Sequence, residues 1–253
     1  MQYTDIIFDL YGTLVDIHTE EDASVWEKTA LFYGFYGASY TAETLKESFD
    51  RAMQLRQAKA GHSYECFPDI PCQEVFSQLF LEKGISDPTG ALGFQAAQLF
   101  RICSIRHIRL YPGVVSALQQ LKQQGYRLWL LSNAQRVFTQ YELQLLGLTQ
   151  CFDGIYISSD YQCRKPDVRF FTALLQEQNL QPEHCLMIGN DRQTDIAGAK
   201  QAGLDTLYLH ANITPLDQAP ADPALFPSIA PCDTHHFEFE GTNWNDILPL
   251  LLK

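Results

Sequence analysis

The chain has 253 residues, 46% of them hydrophobic, and 18 Lys and Arg stand against 30 Asp and Glu, a net charge of −12. That length makes one large or two small domains with ample material for a core, and 19% charged with 12% aromatic residues excludes a disordered chain. The negative balance argues against general binding to nucleic acid, and no apolar run approaches the roughly 18 residues of a membrane span.

Residues 1–10 hold two Asp and no Lys or Arg, so they lack the basic start of a signal peptide. Residues 4–10 (TDIIFDL) form a short apolar run that ends in Asp9 before Gly12, the pattern of a buried strand. From about Asp22 to His107 the spacing turns helical, in EDASVWEKTALF, TAETLKESFDRAMQLRQAKA, CQEVFSQLFLEKG and FQAAQLFRICSI, punctuated by Pro68, Pro71 and Pro88. An alternation begins after Tyr111-Pro112-Gly113. Val114, Leu118 and Leu121 mark a helix capped by Gly125, then come strand RLWLLSN, helix AQRVFTQYELQLLG and strand GIYISSD. Helix DVRFFTALLQEQN, strand CLMIGND, helix DIAGAKQAG and strand DTLYLH continue it. After a Pro- and Ala-rich loop from Pro215 to Pro231 the chain closes with strand HHFEFE and a helix over 244–252. Alternation of this kind predicts an α/β fold with a doubly wound, Rossmann-like parallel sheet. The core spans 1–15 and 110–253, and 16–109 form an inserted helical cap domain.

Seven cysteines, at 66, 72, 103, 151, 163, 185 and 232, are odd in number and contain no CxxC pair, which points to reduced thiols and a cytoplasmic protein.

In open parallel sheets the ligand lies beyond the carboxyl ends of the strands. The first strand delivers Asp9, Tyr11, Gly12 and Thr13 there; the second, Ser132 and Asn133; the loop past the third, Lys165; the fourth, Asn190 and Asp191, with Asp195 four residues on. Asp9 is an anionic nucleophile at neutral pH, and Thr13 offers a hydroxyl beside it. Ser132 and Asn133 supply neutral donors for substrate oxygens and Lys165 a compact positive charge. Asp9, Asp191 and Asp195 together would repel one another without a cation, and Mg²⁺ suits such hard oxygen ligands.

In motifs and in their order, the chain resembles the haloacid dehalogenase-like hydrolase superfamily over nearly its whole length. That resemblance implies a metal held by Asp9, the Tyr11 carbonyl and Asp191, with Asp195 in support. It also implies an aspartyl-phosphate formed on Asp9 from a small phosphorylated substrate. Tyr11 departs from the pattern: the phosphatases carry a second Asp there, the acid and base of the reaction, whereas the dehalogenases proper carry Tyr. A phenol is a poor base at neutral pH, so alkyl phosphates should turn over slowly and aryl or acyl phosphates less so. Asp191 points the other way, because the dehalogenases have small Ser or Asn residues in that motif and work without metal. The leading expectation is therefore a Mg²⁺-dependent phosphatase; the alternatives are a metal-independent 2-haloacid dehalogenase and a catalytically silent ligand-binding member.

Other residues carry blander expectations. Arg51, Arg56 and Lys59 share a cap helix and are mostly solvated, with one of them a candidate to face the substrate anion. His18, His62, His107 and His210 show no ligand spacing, and His235 and His236 face opposite sides of a strand. Trp26, Phe32, Tyr33, Phe35 and Tyr36 read as core and hinge packing. Oligomeric state cannot be read from the chain.

Overall fold

Residues 5–8 (DIIF) form a strand that is buried at every position, because alternate side chains enter two different cores: Ile6 and Phe8 one, Ile7 the other. In this computed structural model, which describes residues 3–60, 67–213 and 234–252, that strand is β1 (Asp5–Phe8). The chain leaves it through β2 (Val15–Thr19), makes helices α1 (Ala23–Phe35), α2 (Ala42–Ala60), α3 (Cys72–Glu82) and α4 (Ala91–Ser104), and returns along β3 (Ile105–Leu110). Next come α5 (Val114–Gln123), β4 (Arg127–Ser132), α6 (Arg136–Leu145), β5 (Gly154–Ile157), α7 (Ser158–Tyr161), α8 (Val168–Glu177) and β6 (Cys185–Gly189). A π-helical turn at Arg192–Ala197 leads into α9 (Gly198–Gln201), and β7 (Asp205–His210), β8 (His236–Glu240) and α10 (Trp244–Leu251) complete the described elements.

The main sheet has the order β5-β4-β1-β6-β7-β8, and every pairing in it is parallel. β1 lies centrally, with β4 and β5 wound to one side and β6, β7 and β8 to the other. The order therefore reverses at β1, and the crevice at that switch point opens at the carboxyl ends of β1, β4 and β6. Phe8 pairs with both Leu130 and Ile188, so the residues after Phe8 meet those closing β4 and β6 at one level. One core layer joins β1 and β4 to α5 and α10 through Leu118, Leu121, Trp244 and Ile247; the other joins them to α8 through Phe170, Phe171 and Leu174. Helices α1 to α4 enclose a third core of Trp26, Tyr33, Phe76, Phe80 and Phe100, which also takes in Val137 of α6.

The helical stretch is shorter than its spacing suggests. Residues 105–107, expected as helix, belong to β3, which pairs antiparallel with β2. The sequence IRHIRL alternates, and β2 answers it with Asp16 opposite Arg109 in a 2.7 Å ion pair. Likewise GIYISSD is strand only to Ile157. Ser158 and Ser159 then turn the chain into α7 and accept hydrogen bonds from the main-chain N–H groups of Ala134 and Arg136. DIAGAKQAG divides into the π turn and α9, and Asp191, not Asp195, caps the turn. Phe35 is 90% exposed and does not pack in the core as expected, whereas Trp26 and Tyr33 do, and Tyr36, though partly exposed, sets its ring edge-on against Phe80 and Phe32. The Pro215–Pro231 loop, His62, Cys66 and Cys232 lie outside the described residues.

Candidate active site

Asp9 comes directly after β1, and its N–H still donates to the Ile188 carbonyl (2.9 Å), so its carboxylate is aimed by the sheet itself. The chain then turns tightly. Gly12 has φ +88°, and a Cβ there would stand 2.2 Å from the Asn190 amide nitrogen, so both its conformation and its surroundings exclude other residues. Thr13 Oγ1 donates to Asp9 Oδ2 (3.1 Å), and the Thr13 carbonyl accepts from the Trp244 indole (3.0 Å).

Lys165 is buried, and its ammonium donates to Asp9 Oδ1 (2.8 Å) and Asp195 Oδ1 (2.7 Å). Asn133 holds the Lys165 main chain from both ends: its Nδ2 donates to the Lys165 carbonyl (2.9 Å) and its Oδ1 accepts from the Lys165 N–H (2.8 Å). Asp195 Oδ2 accepts from the Asp191 N–H (3.0 Å), an approach that a side chain on Gly189 would block at 2.3 Å. Asp191 accepts from the N–H groups of Gln193 and Thr194, both on Oδ1, which leaves Oδ2 as a lone-pair donor. Asp9, Tyr11, Asn133, Lys165, Asn190, Asp191, Thr194, Asp195 and Ile213 line a cleft of about 240 Å³. A larger groove of about 690 Å³ lies on the outside of α1 and holds none of these residues.

Burial works to lower the Lys165 pKa, but Asp195 and Asp9 outweigh it and hold the ammonium above its ordinary value. Burial raises Asp195, and its neighbours Asp9 and Asp191 add to that against Lys165. Both directions have one source: a single cation serves two buried carboxylates, and with Asp191 the cleft carries more negative than positive charge. A phosphate dianion would not enter such a cleft without a further cation. The available donors are carboxylate and main-chain oxygens, a set that fits Mg²⁺. Among the described residues no three His, Cys, Asp or Glu side chains group as metal ligands. Asp195 has both oxygens engaged, by Lys165 and the Asp191 main chain, and Asp9 has both engaged likewise, by Lys165 and Thr13. Each carboxylate oxygen keeps a further lone pair, so neither side chain is closed to a cation. The side chains of Asp9 and Asp191 are candidate donors with Asp195 in support, and main-chain carbonyls such as that of Tyr11 lie beside them.

Tyr11 is turned away from acid–base chemistry. Its hydroxyl donates to Glu142 Oε2 at 2.5 Å and lies 3.1 Å from Thr139 Oγ1, both on α6. A phenol has one proton, and Tyr11 directs it at Glu142. Burial first, then the charge of Glu142, pushes the Tyr11 pKa well above that of a free phenol, with Arg101 opposing. Arg101, from α4, grips Glu142 through Nε (2.6 Å) and Nη2 (3.0 Å) and lies 5.7 Å from the centre of the Tyr11 ring.

Asp9, Tyr11, Lys165, Asp191 and Asp195 thus meet in one place, with Thr13 touching Asp9. Asn133 lines the cleft, and its amide positions Lys165 with its oxygen and one of its two N–H groups. Ser132 Oγ is buried without a hydrogen-bond partner at the end of β4. Arg56 pairs with Glu74 (2.7 Å) and Arg51 lies 3.8 Å from Glu82, so both serve the helical layer. His18 and His107 stack on each other across the β2–β3 ribbon. Sequence reasoning missed Arg101, Glu142 and Trp244. The available signal for Glu142 is a charge on the helix face that also carries Val137 and Leu143, both buried.

The model of the haloacid dehalogenase-like hydrolases matches residues 6–203. A glyceraldehyde 3-phosphate phosphatase of Methanothermobacter thermautotrophicus is 32% identical, over 83% of this chain and 86% of its own length. The N-acylneuraminate-9-phosphatase of Homo sapiens is 25% identical over 88% of this chain and 90% of its own. Among solved structures, a dehalogenase in an intermediate complex superposes with a TM-score of 0.56 at 20% identity, covering 100% of this chain and 98% of that one. The last likeness is one of fold, which phosphatases and dehalogenases share.

Proposed function

Because this chain belongs to the haloacid dehalogenase-like hydrolases, we propose that it is a Mg²⁺-dependent phosphatase acting on a small phosphorylated metabolite in the cytoplasm. The observation that carries this reading is the arrangement of Asp9: its carboxylate is held by Lys165 and Thr13 in a cleft that also contains Asp191 and needs a cation to admit an anion. Asp191 argues for phosphate over halide chemistry, and two relatives over most of the chain are named as phosphatases of small phosphorylated compounds.

In this reading Asp9 attacks phosphorus in line, giving an aspartyl-phosphate that water then cleaves. Asp9, Asp191 and the Tyr11 carbonyl would hold Mg²⁺, which would supply neutralisation of phosphoryl charge there. Lys165 orients the Asp9 carboxylate and faces the developing negative charge, while the buried Ser132 hydroxyl is kept for a phosphoryl oxygen. Residues 16–109 act as a cap over the core formed by 1–15 and 110–253, excluding water during the reaction. The Tyr11 proton is committed to Glu142, so the leaving group departs unaided, and aryl or acyl phosphates turn over faster than alkyl phosphates.

The test is phosphate release from 4-nitrophenyl phosphate, acetyl phosphate and glyceraldehyde 3-phosphate, with Mg²⁺ and with EDTA, beside halide release from 2-chloropropionate. The reading expects Mg²⁺-dependent phosphate release, fastest with the first two substrates and absent in Asp9→Asn. Metal-independent halide release would overturn it in favour of a dehalogenase, for which an unused phenol at Tyr11 is no handicap.

A further inference from the structure

Tyr11 occupies the middle of the turn that starts at Asp9 and ends at Thr13. On one side this turn is closed by Asn190, against which Gly12 lies too close for any side chain. On the other its handle is the Tyr11 ring, and the groups on that handle come from outside the turn: Thr139 and Glu142 from α6, and Arg101 from α4. Glu142 is buried and the Arg101 side chain is 17% exposed. The Arg101 guanidinium lies 5.7 Å from the Tyr11 ring centre and 5.2 Å from that of Phe138, so it is sandwiched at the junction of the helical layer and the sheet. A bidentate Arg–Glu pair is complete in itself as a staple between α4 and α6. The addition of the phenol, with its short bond to Glu142, ties this staple to the residue two beyond Asp9.

We propose that Arg101 and Glu142 are positioning residues for hydrolysis: acting through the Tyr11 hydroxyl, the pair fixes the turn that carries Asp9, so the attacking carboxylate is aligned only while α4 is docked on α6. This rests on the reading of Asp9 as the nucleophile. The residue that replaces the family's acid and base thereby becomes a mechanical link, and docking of the helical layer is coupled to alignment of the nucleophile. Neither Arg101 nor Glu142 touches the reacting atoms; both act through Tyr11.

The experiment uses the full chain and the variants Tyr11→Phe, Arg101→Ala, Glu142→Gln and the Tyr11→Phe/Arg101→Ala double, with 4-nitrophenyl phosphate and Mg²⁺. Each single variant should lose roughly ten- to a hundredfold in kcat, since small misplacements of a reacting group have such effects. KM should stay within about threefold, as transition-state alignment and not ground-state binding is lost. The double variant should be no worse than the poorer single, because both act on one linkage. Losses that multiply, or losses confined to KM, overturn the proposal. Hydrogen exchange, read without substrate, supplies a second measure. Amides of residues 10–15 should exchange faster in Tyr11→Phe and Arg101→Ala while those of β6 keep their protection; unchanged exchange in 10–15 also overturns it. If Arg101→Ala does not fold, Tyr11→Phe and Glu142→Gln carry the same comparison. A wild-type chain that releases no phosphate defeats the phosphatase reading, whereas the exchange result still decides whether Arg101 and Glu142 hold the turn.

Discussion

Replacing Lys165 by Met keeps much of the side-chain volume and removes one charge from a place with no water to compensate. In the native protein the ammonium is within 2.8 Å of Asp9 Oδ1 and 2.7 Å of Asp195 Oδ1, so those oxygens lie no more than 5.5 Å apart. Without the cation, two carboxylates at that separation repel by about 3 kcal/mol at an effective dielectric constant of about 20. Breaking a buried ion pair by removing one partner costs about 3–5 kcal/mol, the range we expect for Lys165→Met at about pH 8 in EDTA. For a chain of this size that is a fall in Tm of about 6–20 °C. The deficit has a definite dependence on pH. Asp195 is already raised by burial, and losing Lys165 raises it further. A carboxyl whose folded pKa exceeds its unfolded one gains folding stability from its proton, fully below the unfolded pKa and lost as pH rises through the folded one. The variant should therefore recover towards wild type as pH falls from about 8 to about 5.5. Urea unfolding monitored by circular dichroism at both pH values measures this. A deficit under about 1 kcal/mol at the higher pH, or one that does not change with pH, refutes the account of the triad.

The geometry sets three further outcomes. Gly12→Ala should cost about 1–2 kcal/mol for its left-handed backbone, and the collision with Asn190 should displace Asp9, so phosphate release falls by about tenfold or more while far-ultraviolet circular dichroism is retained. Glu238 accepts from Arg192, His210 and His236, which lower its pKa from 4.5 to about 2. Its contribution to stability is present above 4.5 and lost as pH falls towards 2, and Glu238→Gln should flatten that part of the acid unfolding curve. Trp244 is fully buried, so Trp244→Ala should destabilise by about 3–5 kcal/mol. Trp244→Phe keeps a ring but leaves the Thr13 carbonyl unpaired, and should cost about 1–3 kcal/mol in urea titration.

The sheet and its loaded strand ends were legible because periodicity reports burial. IIF, LWLL and CLMIG are apolar throughout since both faces are covered, and the residues just after each run had to lie at a sheet edge. Boundaries were less legible where polar side chains bond to nearby backbone, as at Ser158 and Ser159, or where alternation is short, as in IRHIRL. For the candidate site, position just past the strand ends was enough to bring Asp9, Lys165 and Asp191 to one cleft. The contacts of Asn133 and Asp195 were not legible, because a carboxylate or an amide can face a ligand or a backbone with equal chemistry. Arg101 and Glu142 escaped notice because a partnership across 41 residues leaves no spacing to read. Phe35 shows the converse: helical spacing placed it with Trp26 and Tyr33, but α1 ends there and its ring faces outward.

The bond from the Trp244 indole to the Thr13 carbonyl joins residues 231 positions apart. During synthesis the turn beside Asp9 emerges 231 residues ahead of Trp244, and its Thr13 carbonyl lacks this donor until α10 has folded back. A nascent chain that already contains Asp9, Lys165 and Asp191 still lacks the brace beneath the turn that follows Asp9. A chain interrupted before residue 244 is therefore left without the indole donor to the Thr13 carbonyl, and the turn after Asp9 loses that restraint.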